Sequence, residues 1–397
     1  MNDELDPLAH AIALIRCPSV TPDEAGALDY VESRLAKAGF NCRRLRFVSD
    51  GLPEIDNLYA RIGDGAPHLC FAGHVDVVPP GDEAAWTTPP FAAEIQGGVL
   101  YGRGAVDMKG GIAAMLAAVF RYLGERGGEP GGSISFLLTA DEEGPAENGT
   151  VKVVQWMREA GEVPDICVLG EPTNPTKIGE MIKIGRRGSL NGRLTVRGVQ
   201  GHVAYPHLTR NPLTGLVAAL KRIIDEPLDA GSENFAPSNL EVTGIDTGNP
   251  AVNVVPAKAS AQFNIRFNDH HNAATLSERL RGLVADTLAG SGLEHDLILE
   301  SNADVFLTRP GAWVETLIEA SAKVTGIRPA LSTDGGTSDA RFIKDICPVV
   351  EFGLVNSTIH KVDEHTTVAD LRDLTEIYHQ FMRRYFAETR GSDRTEA

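Results

Sequence analysis

Seven acidic and imidazole side chains stand in five short motifs that lie far apart in the chain: His74 and Asp76 in FAGHVDVVPPGD, Asp107 in YGRGAVDMKGG, Glu142 and Glu143 in TADEEG, Glu171 in LGEPT and His360 in NSTIHKVDE. Each motif comes just after an apolar run. Two imidazoles and several carboxylates brought in from the ends of different strands form the donor set of a pair of divalent ions. One carboxylate can bridge while each ion keeps a His and a Glu of its own. The chemistry implied is metal-assisted hydrolysis.

The motifs differ in how much they say alone. In HVD, positions i and i+2 of an extended segment face the same side, so His74 can ligate while Asp76 accepts the proton on its other ring nitrogen. Asp107 opens a helix, where an acid also suits the helix dipole, and its role in a metal site would be the bridge. The triplet Asp141, Glu142, Glu143 would serve as a solvated face or a helix start. Two adjacent glutamates can also divide the work, Glu143 as ligand and Glu142 as general base. Glu171 follows a buried strand, where a carboxylate without a partner is costly and a metal relieves the cost. His360 alone would pass for a surface histidine, but it supplies the second imidazole that the set requires.

Positioning these groups falls to strand-like runs at NLYARI, HLCFAG, SISFLLTA, DICVLG and PVVEFGL, alternating with helical patterns such as MKGGIAAMLAAVFRYL and GTVKVVQWMREAG. This rhythm predicts an α/β domain with a mostly parallel sheet and helices on both faces, its ligands beyond the carboxyl ends of the strands. An amphipathic helix is expected around residues 5–16. Thr21-Pro22-Asp23-Glu24 reads as a capping box opening a second helix that ends before Gly39. Between residues 188 and 302 the order changes to β-α-β-β-α-β, the ferredoxin-like α+β pattern. That unit reads as an insertion, which divides the chain into 1–187, 188–302 and 303–397. The tail GSDRTEA is expected to be unstructured.

Composition narrows the function classes. At 397 residues the chain exceeds one ordinary core, so two domains are expected. Its 37 basic and 54 acidic residues give a formal charge of −17, which repels nucleic acid and anionic membranes. Cys17, Cys42, Cys70, Cys167 and Cys347 are odd in number and form no C-x-x-C pair, so neither a disulfide framework nor a thiolate metal site is expected. No apolar stretch reaches the length of a membrane helix, and the acidic start is unlike a secretory signal. A cytoplasmic protein is the expectation.

Taken together, the motifs resemble those of the M20 family of co-catalytic metallopeptidases and amidohydrolases over nearly the entire chain. The resemblance implies a catalytic domain with an inserted dimerisation or lid domain, a homodimer, and two zinc ions per subunit, with cobalt or manganese also acceptable. It makes His74, Asp107 and Glu171 the ligands of one ion and Asp107, Glu143 and His360 those of the other. Asp76 would support His74, and Glu142 would be the catalytic acid/base. A cis peptide is implied at Asp107-Met108. GRRGSLNG, QGHVAYPH, STDGGTSDARF and NSTIHKVDE most resemble family members that hydrolyse N-succinyl-L,L-2,6-diaminopimelate to succinate and L,L-2,6-diaminopimelate. Acetylornithine deacetylation and aminoacylase activity are the alternatives within the family. His202 would reach the partner subunit's active site to stabilise an oxyanion. Arg186, Ser189, Tyr205, Asn253, Arg266, Thr337 and Asn356 would hold the substrate. For Arg266 a solvated strand charge is the rival role, and for Arg186 a hinge charge.

Overall fold

The computed structural model describes residues 3–392. The chain forms two compact units. One comprises the chain up to Ile184, Thr308–Ser332 and the chain from Ser338 onward; the other comprises Gly185–Leu307 with Thr333–Thr337. The second unit therefore begins and ends slightly outside residues 188–302, and it takes in Thr337.

The first unit is built on an eight-stranded sheet in the order Asn41–Phe47, Ile55–Ile62, Ser133–Thr139, His68–His74, Ile166–Leu169, Val349–Glu351, Met181–Lys183, Ala330–Ser332. The four strands from Ser133–Thr139 to Val349–Glu351 run parallel. The first two strands pair antiparallel, as do the second and third. His68–His74 and Ser133–Thr139 are buried at every position, which is why they read as unbroken apolar runs rather than alternating ones. Among the helices, Lys109–Glu125 packs against Pro7–Ile15 and Val368–Ser392, while Thr150–Ala160 packs against Ala340–Ile343. A glycine allows one close approach near the site. A Cβ on Gly111 would sit 2.6 Å from the Gly170 carbonyl oxygen, so the helix that follows Asp107 can lie against the strand end that carries Glu171.

The second unit is a four-stranded antiparallel sheet ordered Asn239–Asp246, Lys258–Phe267, Gly188–Arg197, Glu294–Ala303, with the helices Pro212–Ile224 and Ala273–Leu288 packed together. Leu190, Leu194, Phe263, Ile265, Leu216 and Leu280 lie in one buried cluster. The period of two along Lys258–Phe267, alternating buried with more exposed, sends the apolar side chains to a single face. Both helices have side-chain caps: Asn211 accepts from the Leu213 amide, and Asn272 forms a capping box with Thr275.

One local expectation fails. Thr21-Pro22-Asp23-Glu24 does not open a helix, because Thr21 is tied to a neighbouring segment: its amide donates to the Val77 carbonyl, and Val20 bridges Val77. The helix begins only at Ala27, after Gly26 at φ +84°, and ends at Lys37. Of the C-terminal tail, Gly391 and Ser392 close the last helix, and the residues beyond lie outside those described. Cys70, Cys167 and Cys347 are buried, and all five cysteines are free. Among the described residues, no helix is long and apolar enough to cross a membrane.

Candidate metal centre

Four neighbouring parallel strands of the first unit end in candidate ligands. His74 is the last residue of its strand, Glu142 and Glu143 follow Ser133–Thr139, Glu171 follows Ile166–Leu169, and His360 follows Val349–Glu351. Asp107 comes from the turn before the helix Lys109–Glu125, and its peptide bond to Met108 is cis. Carboxyl ends of adjacent parallel strands form the crevice in which α/β sheets bind ligands.

Asp107 sits between the two imidazoles. Its Oδ1 lies 3.1 Å from His74 Nε2 and its Oδ2 lies 3.3 Å from His360 Nε2. Each imidazole also faces a glutamate: His74 Nε2 is 3.7 Å from Glu171 Oε1, and His360 Nε2 is 2.9 Å from Glu143 Oε1. His74, Asp107 and Glu171 thus form one cluster of donor atoms, and Asp107, Glu143 and His360 a second that shares the aspartate. His74, Asp107 and Glu171 are buried, Glu142 and Glu143 half-buried, and His360 exposed.

The electrostatics of the cluster call for positive charge. Burial opposes a charge on His74, but Asp107 and Glu171 outweigh it and raise the imidazole well above its ordinary range. Hydrogen bonding to Asp107 and Glu143 raises His360 to about 10. Burial pushes Asp107 upward, yet hydrogen bonds from His360 and His74 bring it well below the usual carboxylate range. Glu142 moves the other way, raised well above its ordinary value by burial and then by the negative charge of Glu171. The carboxylates thus favour positive charge beside both imidazoles, and imidazole with carboxylate and no thiolate is a donor set that suits a divalent metal ion.

Asp76 stands beside His74, its carboxylate 3.6 Å from Nδ1, but its main-chain carbonyl lies nearer the ring. The Nδ1 of His74 is 2.9 Å from the main-chain carbonyl oxygen of Asp76, while the Asp76 carboxylate accepts from the amides of Glu142 and Glu143 at 3.3 and 3.0 Å. The nearer carbonyl takes the ring N–H. The side chain, 3.6 Å away from that nitrogen, instead satisfies two amides of the turn that carries the glutamates. Asp141 divides from its neighbours in the same way. It is buried, and it accepts from the Asn148 amide to shape the loop.

The remaining candidates fall in two places. Asn356 opens a short turn in the first unit, its amide donating to the Asn174 carbonyl. In the second unit, Arg186 donates to the Asp334 carbonyl and Ser189 lies opposite Arg266 across a strand pair. His202 ends the two-residue strand Gly201–His202, which pairs with Val254–Val255, and Tyr205 and Asn253 are exposed beside it, with the Val203 amide bonded to the Asn253 carbonyl. Thr337 is half-buried. Glu364 and Arg103 were not singled out by sequence reasoning, although both lie inside quoted motifs. They form a buried ion pair of 2.7 Å beside Asp107, and the available signal was two opposite charges in two motifs that must meet.

Residues 70–384 match peptidase family M20/M25/M40. The chain is 58% identical over 388 residues to the succinyl-diaminopimelate desuccinylase of Methylorubrum populi, covering 98% of this chain and 100% of that one. Among solved structures, an aminopeptidase from Bacillus cereus superposes with a TM-score of 0.78 at 20% identity, covering 96% of this chain and 98% of the other. An M20 family metallo-carboxypeptidase from Sulfolobus solfataricus gives 0.76 at 19% identity, covering 96% and 99%. With the family matched from the first ligand strand to the last helix, and a full-length relative well above half identical, the chain belongs to peptidase family M20/M25/M40.

Proposed function

We propose that this protein is a two-zinc amidohydrolase that cleaves N-succinyl-L,L-2,6-diaminopimelate to succinate and L,L-2,6-diaminopimelate. The chemistry rests on one observation above all, the two oxygens of Asp107 turned to two different imidazoles, each with its own glutamate. The choice of substrate rests on likeness to the desuccinylase relative. His74, Asp107 and Glu171 would hold one ion, and Asp107, Glu143 and His360 the other. When bound, such ions polarise an amide carbonyl and make water a stronger acid.

The chain's own residues carry the protons and the orientation. Glu142, raised by burial and by Glu171, takes the proton of the attacking water and returns it to the departing amine. Asp76 keeps Glu142 and Glu143 in place through their amides. In His202 the Nδ1 accepts from the Ala204 amide at 3.0 Å, which leaves the proton on Nε2 as a donor. That ring, exposed at the end of a short strand, would reach the oxyanion in the partner subunit's site, so the working form would be a homodimer. Arg186 and Arg266 suit the substrate's carboxylates through their planar forks, with Ser189, Tyr205, Asn253, Thr337 and Asn356 contributing further polar contacts. The proposed setting is the cytoplasm, where a biosynthetic substrate of this kind would be met.

Succinate release from this substrate, measured against acetate release from N-acetylornithine on protein of known metal content, tests the proposal. Two ions per chain and a strong preference for the succinyl substrate are expected. A preference for acetylornithine would replace the substrate assignment, and a metal-free active protein would end the whole proposal.

A further inference from the structure

Glu364 is fully buried, between His360 and the strand His365–Thr367. Its Oε1 accepts from the amides of Val106 and Asp107 at 2.8 and 3.0 Å, and its Oε2 accepts from the Gly104 amide at 3.1 Å and from Arg103 Nη1 at 2.7 Å. The turn before a helix exposes amides that the helix itself cannot satisfy, and a carboxylate can take several of them at once. Arg103, also buried, extends the same contact. Its Nη1 reaches the Lys361 carbonyl at 3.2 Å and its Nη2 the Pro79 carbonyl at 3.4 Å, with the guanidinium 5.2 Å from the centre of the Trp86 ring. One residue earlier in the same segment, the Asp363 carboxylate accepts from the amide and hydroxyl of Thr87, each at 2.7 Å. The stretch that follows His360 is thereby joined to the turn that carries Asp107.

We infer that Glu364 is a positioning residue for the two-ion centre: its carboxylate fixes the Asp107 backbone relative to the His360 segment, so that one aspartate can serve both sites. This inference rests on the two-ion reading of the centre. Of the two donor clusters, the one formed by Asp107, Glu143 and His360 depends on the join twice, through Asp107 and through His360. The cluster formed by His74, Asp107 and Glu171 depends on it once. Loss of the carboxylate should therefore weaken the two sites unequally.

The experiment is a stepwise titration of chelator-stripped full-length protein with Zn2+ against a chromophoric competitor, repeated with Co2+ to follow the visible bands of each bound ion. Glu143→Gln, which removes a ligand from the His360 site alone, identifies the step that belongs to that site. Glu364→Gln keeps the size of the side chain but turns an N–H group toward amides that need an acceptor. In this variant the affinity of the His360 site should fall about tenfold or more, with a smaller loss at the other site and altered Co2+ bands for the His360-site ion. Equal losses at both sites alongside a lower melting temperature would mean a merely structural role and would overturn the inference, as would unchanged affinities. If Glu364→Gln fails to unfold cooperatively, Arg103→Lys decides by the same titration, because lysine cannot reach Glu364, Lys361 and Pro79 together. Weakening of the His360 site in that variant supports the inference and an unchanged site overturns it. A wild-type chain that binds fewer than two ions would refute the two-ion reading itself.

Discussion

Asp107 and its neighbours divide their tasks atom by atom, and that division sets the outcome of single substitutions. Asp107 offers one oxygen to each cluster, so Asp107→Ala should abolish binding of both ions, whereas Glu171→Gln and Glu143→Gln should each retain one; metal analysis after dialysis distinguishes these outcomes. Glu142 lies near His74 in a further group of donor atoms with Glu143, but it belongs to neither of the two clusters that share Asp107. Glu142→Gln should accordingly keep both ions and lower kcat by roughly a hundredfold or more, the usual scale of a lost general acid or base. A near-normal rate in metal-replete Glu142→Gln protein would show that the proton travels by another route. That these residues converge was legible in the sequence because two imidazoles and several carboxylates each follow a separate apolar run, a set that no single motif would suggest alone. The partner of each atom was not. The sequence places Asp76 on the His74 side of the strand, but whether its carbonyl or its carboxylate meets the ring depends on a fraction of an ångström, and the structure gives the ring to the carbonyl.

Elements explain why the ligands converge, and they make a prediction that does not involve the site. The strand His68–His74 begins with a buried imidazole whose Nε2 lies 2.8 Å from the Ser135 hydroxyl on the adjacent strand. Burial, with the charge of Arg61 adding to it, pulls His68 down to about 4 from an ordinary value of 6.5. Between those two values the unfolded chain binds a proton that the folded chain refuses, so stability rises with pH across this window. The contribution is complete above pH 6.5 and is lost as the pH falls toward 4. A shift of this size corresponds to roughly 3 kcal/mol. His68→Gln keeps a hydrogen-bonding side chain and removes the titration, so its unfolding free energy by urea should depend less on pH than that of the wild type between pH 4.5 and 6.5. Identical slopes would mean that His68 does not stay neutral in the fold. Strands of this kind were legible because full burial leaves an unbroken apolar run with a turn motif at its end. The start of the second helix was not, since Thr21-Pro22-Asp23-Glu24 has the local chemistry of a cap and is held back by a contact with Val77, more than fifty positions away.

At the scale of the whole molecule, the sequence showed two units through a change of rhythm, from long parallel-type strands to the alternating strands of a two-layer sheet, and the chain divides accordingly. Which surface meets a second copy leaves no comparable trace, because an exposed segment such as the one carrying His202 has the same composition whether it faces water or another subunit. Genetic complementation can settle the point. If His202 serves the partner subunit's site, Glu142→Ala and His202→Ala chains are each inactive as homodimers. A heterodimer of the two has one site with an intact Glu142 from the His202→Ala chain and an intact His202 from the Glu142→Ala chain. Random pairing of equal amounts makes half the dimers mixed, each with one working site in two, so coexpressed chains should recover about a quarter of wild-type activity. Were His202 to act within its own subunit, no pairing could assemble a complete site, and the mixture would stay at the level of the two inactive parents. Carrying distinct affinity tags on the two chains lets the heterodimer be isolated, where the expected activity doubles to about half because every dimer then holds one complete site.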